Sequence, residues 1–450
     1  MEPVCPLDYR YGRPEMKAVF SEASRLRYLL QVEAALAWAH AELGTVPTEA
    51  AKALQAVADT PGAVTPERVK EIEAEIRHDL MAVVRAMGEA AGPEAGKYVH
   101  LGATSYDTID TANALQFRDA LALTRDGLRR LRDAMLALAD EHRRTTMLGR
   151  THGQSAVPIT FGLKVAVWAS EVGRHLERLA ECERRVLVGM MSGATGSMAA
   201  FRGKGLQVQA LVCRRLGLGE TTASTQIVQR DRYLELLAHL ANIATTLEKV
   251  ATEIRTLQRT EIGEVAEGFD ARKQVGSSTM PHKQNPITSE QVTGLARLAR
   301  GFLVPSYENA VQWNERDLAN SAPERFIHPH MFLLVDHCLH KMADVLENLR
   351  VHPDRMAENL GRAQGLMMAE SVMIALSEKG LGRQEAHELA RQASMRAIAE
   401  RTHLREALRE EPRILDLLGE GGIDQAVDPA KYTGPVDEII DKVIAETKDL

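Results

Sequence analysis

From Glu220 to Ile262 the chain runs without a proline or glycine, and this stretch restricts the fold more than any other. Within it Tyr233, Leu236, Leu240, Ile243, Leu247, Val250, Ile254 and Leu257 are spaced alternately three and four residues apart. That is a seven-residue repeat over more than three heptads, the pattern of a helix with one continuous apolar seam. Ser224 and Thr225 stand where a cap would begin it. A helix of roughly 40 residues spans about 60 Å at 1.5 Å per residue, too long for the interior of a compact single-chain domain. Further long helices are predicted from about Thr108 to His142, from about Pro158 to Val188, after Pro286, and from Met331 to Leu349. No run of strict alternation is long enough to call for a sheet. The predicted fold class is all-α, an elongated bundle of long helices.

Shorter helices flank this core. Residues 1–104 carry turn and cap signals at "VPTEA", "TPGAVTPE" and "AAGPEAGK", and residues after "RVHPDRM" break again at "EKGLGR". The expected division is a helical cap over 1–104, a central bundle over 105–352 and a C-terminal helical domain over 353–450. A seam repeated on several long helices exposes more apolar surface than a monomer tolerates, which predicts homo-oligomerisation through the bundle.

Composition narrows the function. The 450 residues are 45% hydrophobic and 26% charged with a net charge of −7, which argues against a general nucleic-acid binder. Cys5, Cys182, Cys213 and Cys338 show no CxxC spacing, so neither a zinc site nor a disulfide frame is expected. The N-terminus lacks a basic-then-apolar leader, and no eighteen-residue apolar run occurs; the expectation is a cytoplasmic protein with no membrane partner.

Chemistry is expected in three non-helical islands: "KYVHLGATSYDTIDTA" at 97–112, "GRTHGQSAVP" at 149–158 and "GSSTMPHKQNP" at 276–286. Thr104 and Ser105 are good N-caps, with capping alone as the plain alternative, and a helix N-terminus is also a place to hold an anion. His152 belongs to no apolar stripe. On the helix after Pro66, Val69, Ile72, Ile76, Val83 and Met87 form one stripe, and His78 falls nearly opposite it. Prolines 281 and 286 and Gly276 make the third island a loop held in one path.

These islands carry a resemblance. "GSSTMPHKQNP" matches the GSSxMPxKxNP signature of the fumarase/aspartase superfamily, and "HLGATSYD" and "GRTHGQ" match it in the expected order. Within that superfamily the chain resembles the archaeal-type adenylosuccinate lyase family through "PLDYRYG", "IRHDLMAVVRAM", "STQIVQRDRYLE", "RTEIGEVAEGFD" and "NERDLANSAPER". The resemblance implies a three-domain all-α fold whose five-helix bundles build a twenty-helix core in a homotetramer, with each active site drawn from three subunits. It implies loss of fumarate from succinylated nucleotides, adenylosuccinate and SAICAR, by anti elimination. The sequence carries no metal-ligand cluster and no phosphate-cradling glycine motif, so no cofactor and no metal are expected.

The same resemblance assigns residues. Ser277 is the base and His152 the general acid; Lys283 stabilises the serine alkoxide, and His78 and Glu290 belong to the catalytic set. Arg316, Ser321 and Arg325 match a phosphate-binding set, and guanidinium forks suit phosphate oxygens. Arg10 and Tyr11 match residues at the nucleotide, and Gln226 one near the succinyl end. Asp79, His100, Thr104, Ser105, Thr151, Ser278, Met280 and Asn285 complete the substrate contacts. Ser155, Gln284 and the Ala322–Pro323 pair depart from the family pattern. They leave open a relative acting on another succinylated amine or a carboxymuconate-type substrate; a non-catalytic scaffold is the alternative from another class.

Overall fold

The computed structural model describes residues 4–269, 279, 280 and 282–450. Among these the structure is helical, apart from three two-stranded sheets. It divides into two compact units. The first comprises residues 1–128, 175–247 and 294–340, and the second residues 129–174, 248–293 and 341–450.

The core of the first unit forms around the helix Glu22–Glu42. Ser21 caps that helix, accepting from the Ser24 amide at 3.2 Å. Its middle is buried nearly all round, and Val32, Ala34 and Leu36 belong to one cluster with Leu54, Ile72, Leu80 and Met87 from the next three helices. Each such side chain fully removed from water contributes roughly 1.5–3 kcal/mol when large. In the second unit, Val372, Leu376, Leu404, Leu408, Ile414 and Ile423 are fully buried in one cluster built from the C-terminal helices.

The heptad residues Tyr233–Leu257 are all buried, but their helix spans Asp231–Leu257, not 40 residues. Residues 221–230 are irregular because tertiary bonds outcompete helical ones. The Val228 amide donates to Asp110 Oδ2 at 2.9 Å, and the Gln226 amide to the Glu315 carbonyl at 3.2 Å. The other long helices span Ser105–Glu141, Phe161–Val186, Ile287–Gly301 and Ser321–Glu347.

Two further expectations are corrected. "GRTHGQSAVP" lies in a β-hairpin, Thr146–Thr151 paired antiparallel with Gln154–Thr160. The register shifts between Leu148 and Arg150, at Gly149, where a Cβ would collide with the Val157 carbonyl oxygen. The helix after Pro66 is likewise two helices, Pro66–Ile76 and Asp79–Ala91. Arg77 ends the first in the left-handed region at φ 54°, and His78 is extended. His78 therefore stands at a break between helices, not on the far face of one.

Candidate active site

The first unit contains a cleft of about 440 Å³ that gathers His78, Asp79, Ser105, Arg316, Ser321 and Arg325, six of the residues singled out from sequence. Each is fixed by a local device. His78 is the N-cap of Asp79–Ala91, its Nδ1 accepting from the Met81 amide at 3.3 Å. Asp79 Oδ1 accepts from the Leu80 amide at 2.8 Å, and Oδ2 from Arg325 Nη2 at 2.6 Å. Burial pushes the Asp79 carboxyl up, but the Leu80 amide and Arg325 outweigh it and hold the pKa below its ordinary value.

Ser105 begins the helix Ser105–Glu141, and Thr104 stands just before it. The Thr104 amide donates to Asp107 Oδ2 at 2.8 Å, the return half of a capping box. Asp107 is fully buried and also accepts from the Ser192 and Gly193 amides at 2.7 and 3.0 Å. Desolvation outweighs these bonds and raises its pKa to about 6. Capping and substrate binding are thus compatible roles for this turn.

Ser321 opens the helix Ser321–Glu347, and Arg325 follows one turn later. Between them Glu324 accepts from Arg230 Nε at 2.7 Å, while Arg230 Nη1 and Nη2 donate to Asp110 at 2.7 and 2.9 Å. Burial works against the Arg230 charge, but Asp110 and Glu324 hold its pKa well above the ordinary value. Arg230 thereby pins the turn bearing Ser321 and Arg325 to the helix bearing Ser105. Arg316 lies with its Cζ 3.8 Å from the centre of the Tyr106 ring and donates to Gln226 Oε1 at 2.8 Å. Gln226 in turn donates to the Ala194 carbonyl at 2.8 Å.

His100, in the left-handed region at φ 63°, is also in this unit. Its Nδ1 lies 2.8 Å from Glu33 Oε1, which accepts from Thr108 Oγ1 at 2.7 Å as well. Burial alone would lower the His100 pKa; the Glu33 bond raises it instead. Arg10 and Tyr11 are not among the residues lining the cleft. Tyr11 packs edge-on to His337 at 5.6 Å, with Arg10 Cζ 5.8 Å from the Tyr11 ring centre.

The second unit holds the remaining described candidates. Thr151 and His152 are exposed at the hairpin tip, and His152 at φ 55° and Gly153 at φ 75° make a two-residue turn with both residues left-handed. The hairpin arm is anchored by Arg150, whose Nη2 and Nη1 donate to Glu264 at 2.7 and 2.9 Å. Glu264 is fully buried and also accepts from Asn359 at 2.8 Å. Met280 and Lys283 are exposed, the Lys283 amide donating to the Met280 carbonyl at 3.0 Å, and Asn285 is half-buried. Glu290 is exposed in the first turn of Ile287–Gly301, where Glu267 accepts from the Ser289 amide at 2.7 Å and caps the helix. Ser277 and Ser278 lie outside the described residues. Among the described residues no group of three or more His, Cys, Asp or Glu side chains is placed to hold a metal ion.

Glu33, Tyr106, Arg230, Glu264 and Glu267 are supports that the sequence did not single out. Glu33 carried a signal: it interrupts the apolar run "LLQVEAALAWA", and a charge on a buried face calls for a partner.

Comparison with known proteins bears on this arrangement. The family profile described as "Lyase" matches residues 8–301, and that described as "Adenylosuccinate lyase C-terminus" matches residues 365–443. The chain is 49% identical to the adenylosuccinate lyase of Pyrococcus abyssi, over 99% of this chain and 98% of that protein. It is 45% identical to that of Methanocaldococcus jannaschii, over 99% and 96%. Among solved structures it is similar to a fumarate lyase from Mesorhizobium sp. BNC1, with TM-score 0.89 and 36% identity over 98% of this chain and 100% of that one. It is also similar to the 3-carboxy-cis,cis-muconate lactonizing enzyme of Pseudomonas putida, with TM-score 0.89 and 35% identity over 98% and 99%.

Proposed function

This chain belongs to the adenylosuccinate lyase family, and from that membership we propose that it splits adenylosuccinate into AMP and fumarate, and SAICAR into AICAR and fumarate, in the purine nucleotide synthesis of the cytoplasm. The observation that carries the phosphate-bearing substrate is one wall of the cleft, where Arg316 and Arg325 flank a helix N-terminus at Ser321. Guanidinium forks and an N-terminal turn are both suited to a phosphate monoester.

The chemistry proposed is anti elimination. Ser277 removes the proton beside one carboxylate, the charge spreads into that carboxylate, and His152 protonates the departing nitrogen as the C–N bond breaks. Lys283 stabilises the serine alkoxide, and Glu290 and His78 belong to the same set. The hairpin supports the assignment of His152, because a two-residue turn holds the imidazole at its tip.

A homotetramer with active sites shared by three subunits follows from the same proposal. It is supported by an exposed apolar surface carried by Val304, Tyr307, Val311, Trp313, Leu318 and Phe326, each 58–73% exposed, more than isolated surface residues account for. The three-domain division at 104 and 352 is kept as a proposal; a separate apolar cluster drawn almost wholly from residues 360–427 supports its C-terminal member. No described helix is long and apolar enough to cross a membrane.

Mixing the pure protein with adenylosuccinate and following nucleotide absorbance tests the function. AMP and fumarate should appear in equal amounts. Turnover of a different succinylated amine with adenylosuccinate left intact would overturn the substrate, and no turnover of either would overturn the activity.

A further inference from the structure

Arg25, on the helix Glu22–Glu42, lines the cleft beside Arg316 and Arg325, yet no motif points to it. Two other charged side chains of this helix have partners. Glu22 accepts from Lys70 at 2.6 Å, and Arg27 Cζ lies 4.6 Å from the centre of the Tyr28 ring. The Arg25 guanidinium makes no hydrogen bond or ion pair among the described residues. Of the cleft's carboxylates, Asp79 is committed to Arg325 and the Leu80 amide and Glu324 to Arg230, while Glu73 lines the cleft without forming an ion pair with Arg25. Burial lowers the Arg25 pKa and repulsion from Arg325 adds to it, against attraction by Asp79, Tyr106 and Glu22.

A half-buried guanidinium without a counter-ion, facing a like charge, destabilises the unliganded protein. A dianionic group placed in the cleft would relieve it. We propose that Arg25 is a further substrate-contacting residue, binding the phosphate monoester of the nucleotide together with Arg316 and Arg325. This rests on the phosphate-bearing substrate proposed above and adds to it a cation from a different part of the chain. The planar fork of arginine matches two phosphate oxygens, and a phosphate monoester carries close to two negative charges near neutral pH. The side chain also borders a second cavity of about 310 Å³ lined by Leu26, Leu29 and Val83. Methionine can therefore occupy the same space without the charge.

The test uses Arg25→Met and Arg25→Lys in the full-length protein, with adenylosuccinate and its dephosphorylated form, succinyladenosine, as substrates. For Arg25→Met, kcat/KM for adenylosuccinate should fall roughly 10- to 100-fold, the scale of one charge-assisted hydrogen bond, mostly through KM. For succinyladenosine it should stay at the wild-type value, and Arg25→Lys should recover part of the loss. Thermal unfolding adds a second readout. Without ligand, Arg25→Met should be as stable as wild type or more so, because an uncompensated charge is gone, while the stabilisation given by a fixed concentration of AMP should shrink.

Equal losses on both substrates, or a lower unliganded Tm with the AMP response intact, would make Arg25 structural and overturn the proposal. Arg325→Ala in the same assay separates the two levels of inference. If its loss depends on the phosphate and that of Arg25→Met does not, only the role of Arg25 falls. If wild type gains nothing from the phosphate, the phosphate-bearing substrate falls, and the role of Arg25 with it.

Discussion

The Arg316 guanidinium lies over the Tyr106 ring, its Cζ 3.8 Å from the ring centre, while Nη1 donates to Gln226 at 2.8 Å. Ring and amide fix the plane of the fork before any anion enters, which lowers the ordering cost of binding. Tyr106→Leu removes the ring and should raise KM for adenylosuccinate about 2- to 30-fold, from a contact worth roughly 0.5–2 kcal/mol. Tyr106→Phe keeps the aromatic face and should stay near wild type. Steady-state kinetics decide it, and a Leu variant with unaltered KM would remove the ring from the binding argument.

Arg230 has a side chain only 1% exposed and joins Asp110 to Glu324. Arg230→Met strands two carboxylates in the interior and should cost about 3–5 kcal/mol in denaturant unfolding. Arg230→Lys keeps the charge but not the fork, so it should recover only part. A loss under about 1 kcal/mol for Arg230→Met would mean that the three groups are not held together as found.

His328 is packed between the edges of Phe117 and Tyr233, with ring centroids 5.0 and 5.5 Å away. Burial and then Arg230 push its pKa from 6.5 down to about 3, against the attraction of Asp110 and with a further contribution from Arg25. Above pH 6.5 neither the folded nor the unfolded chain binds this proton. Below it the unfolded chain does and the folded one does not, so stability falls as pH drops toward about 3. Over the two units from pH 6.5 to 4.5 the loss is about 2 kcal/mol per chain. His328→Phe keeps the packing without the titration and should flatten the acid limb by that amount. Urea melts at the two pH values measure it, and identical acid sensitivity in both proteins would refute it.

His152 is exposed at a hairpin tip, so its removal should leave packing intact. His152→Ala should lower turnover by about 10²–10⁴, the range for a positioned acid, with an unchanged melting curve. Near-normal turnover would remove His152 from the mechanism.

The long helices were legible because burial on one face leaves a period: Tyr233, Leu236, Leu240 and Leu247 read directly as a seam. The hairpin was not, because its strands are short and its left-handed turn uses His152 and Gly153 in place of the usual Asn-Gly. The break at Arg77 was hidden for a related reason, since a helix that stops on a left-handed arginine lacks the glycine that usually marks such an end. His78 was placed by a stripe that does not run through it, yet it does line the cleft. Glu33 and Arg230 escaped because their meaning lies in partners 67 and 94 residues or more away, which no local spacing encodes. Ser277 and Ser278, central to the proposed chemistry, rest on the signature alone.

The cap made by His78 has a further consequence, for the tautomer of its ring. Because Nδ1 accepts the Met81 amide, the neutral imidazole must carry its hydrogen on Nε2, and the protonated ring carries one there too. Nε2 is therefore a donor in both ionisation states. It cannot take a proton from carbon, and gaining a proton on Nδ1 would break the cap. The start of one helix thus settles the polarity of a group in the cleft: while the cap stays closed, His78 gives a hydrogen bond toward an anionic oxygen.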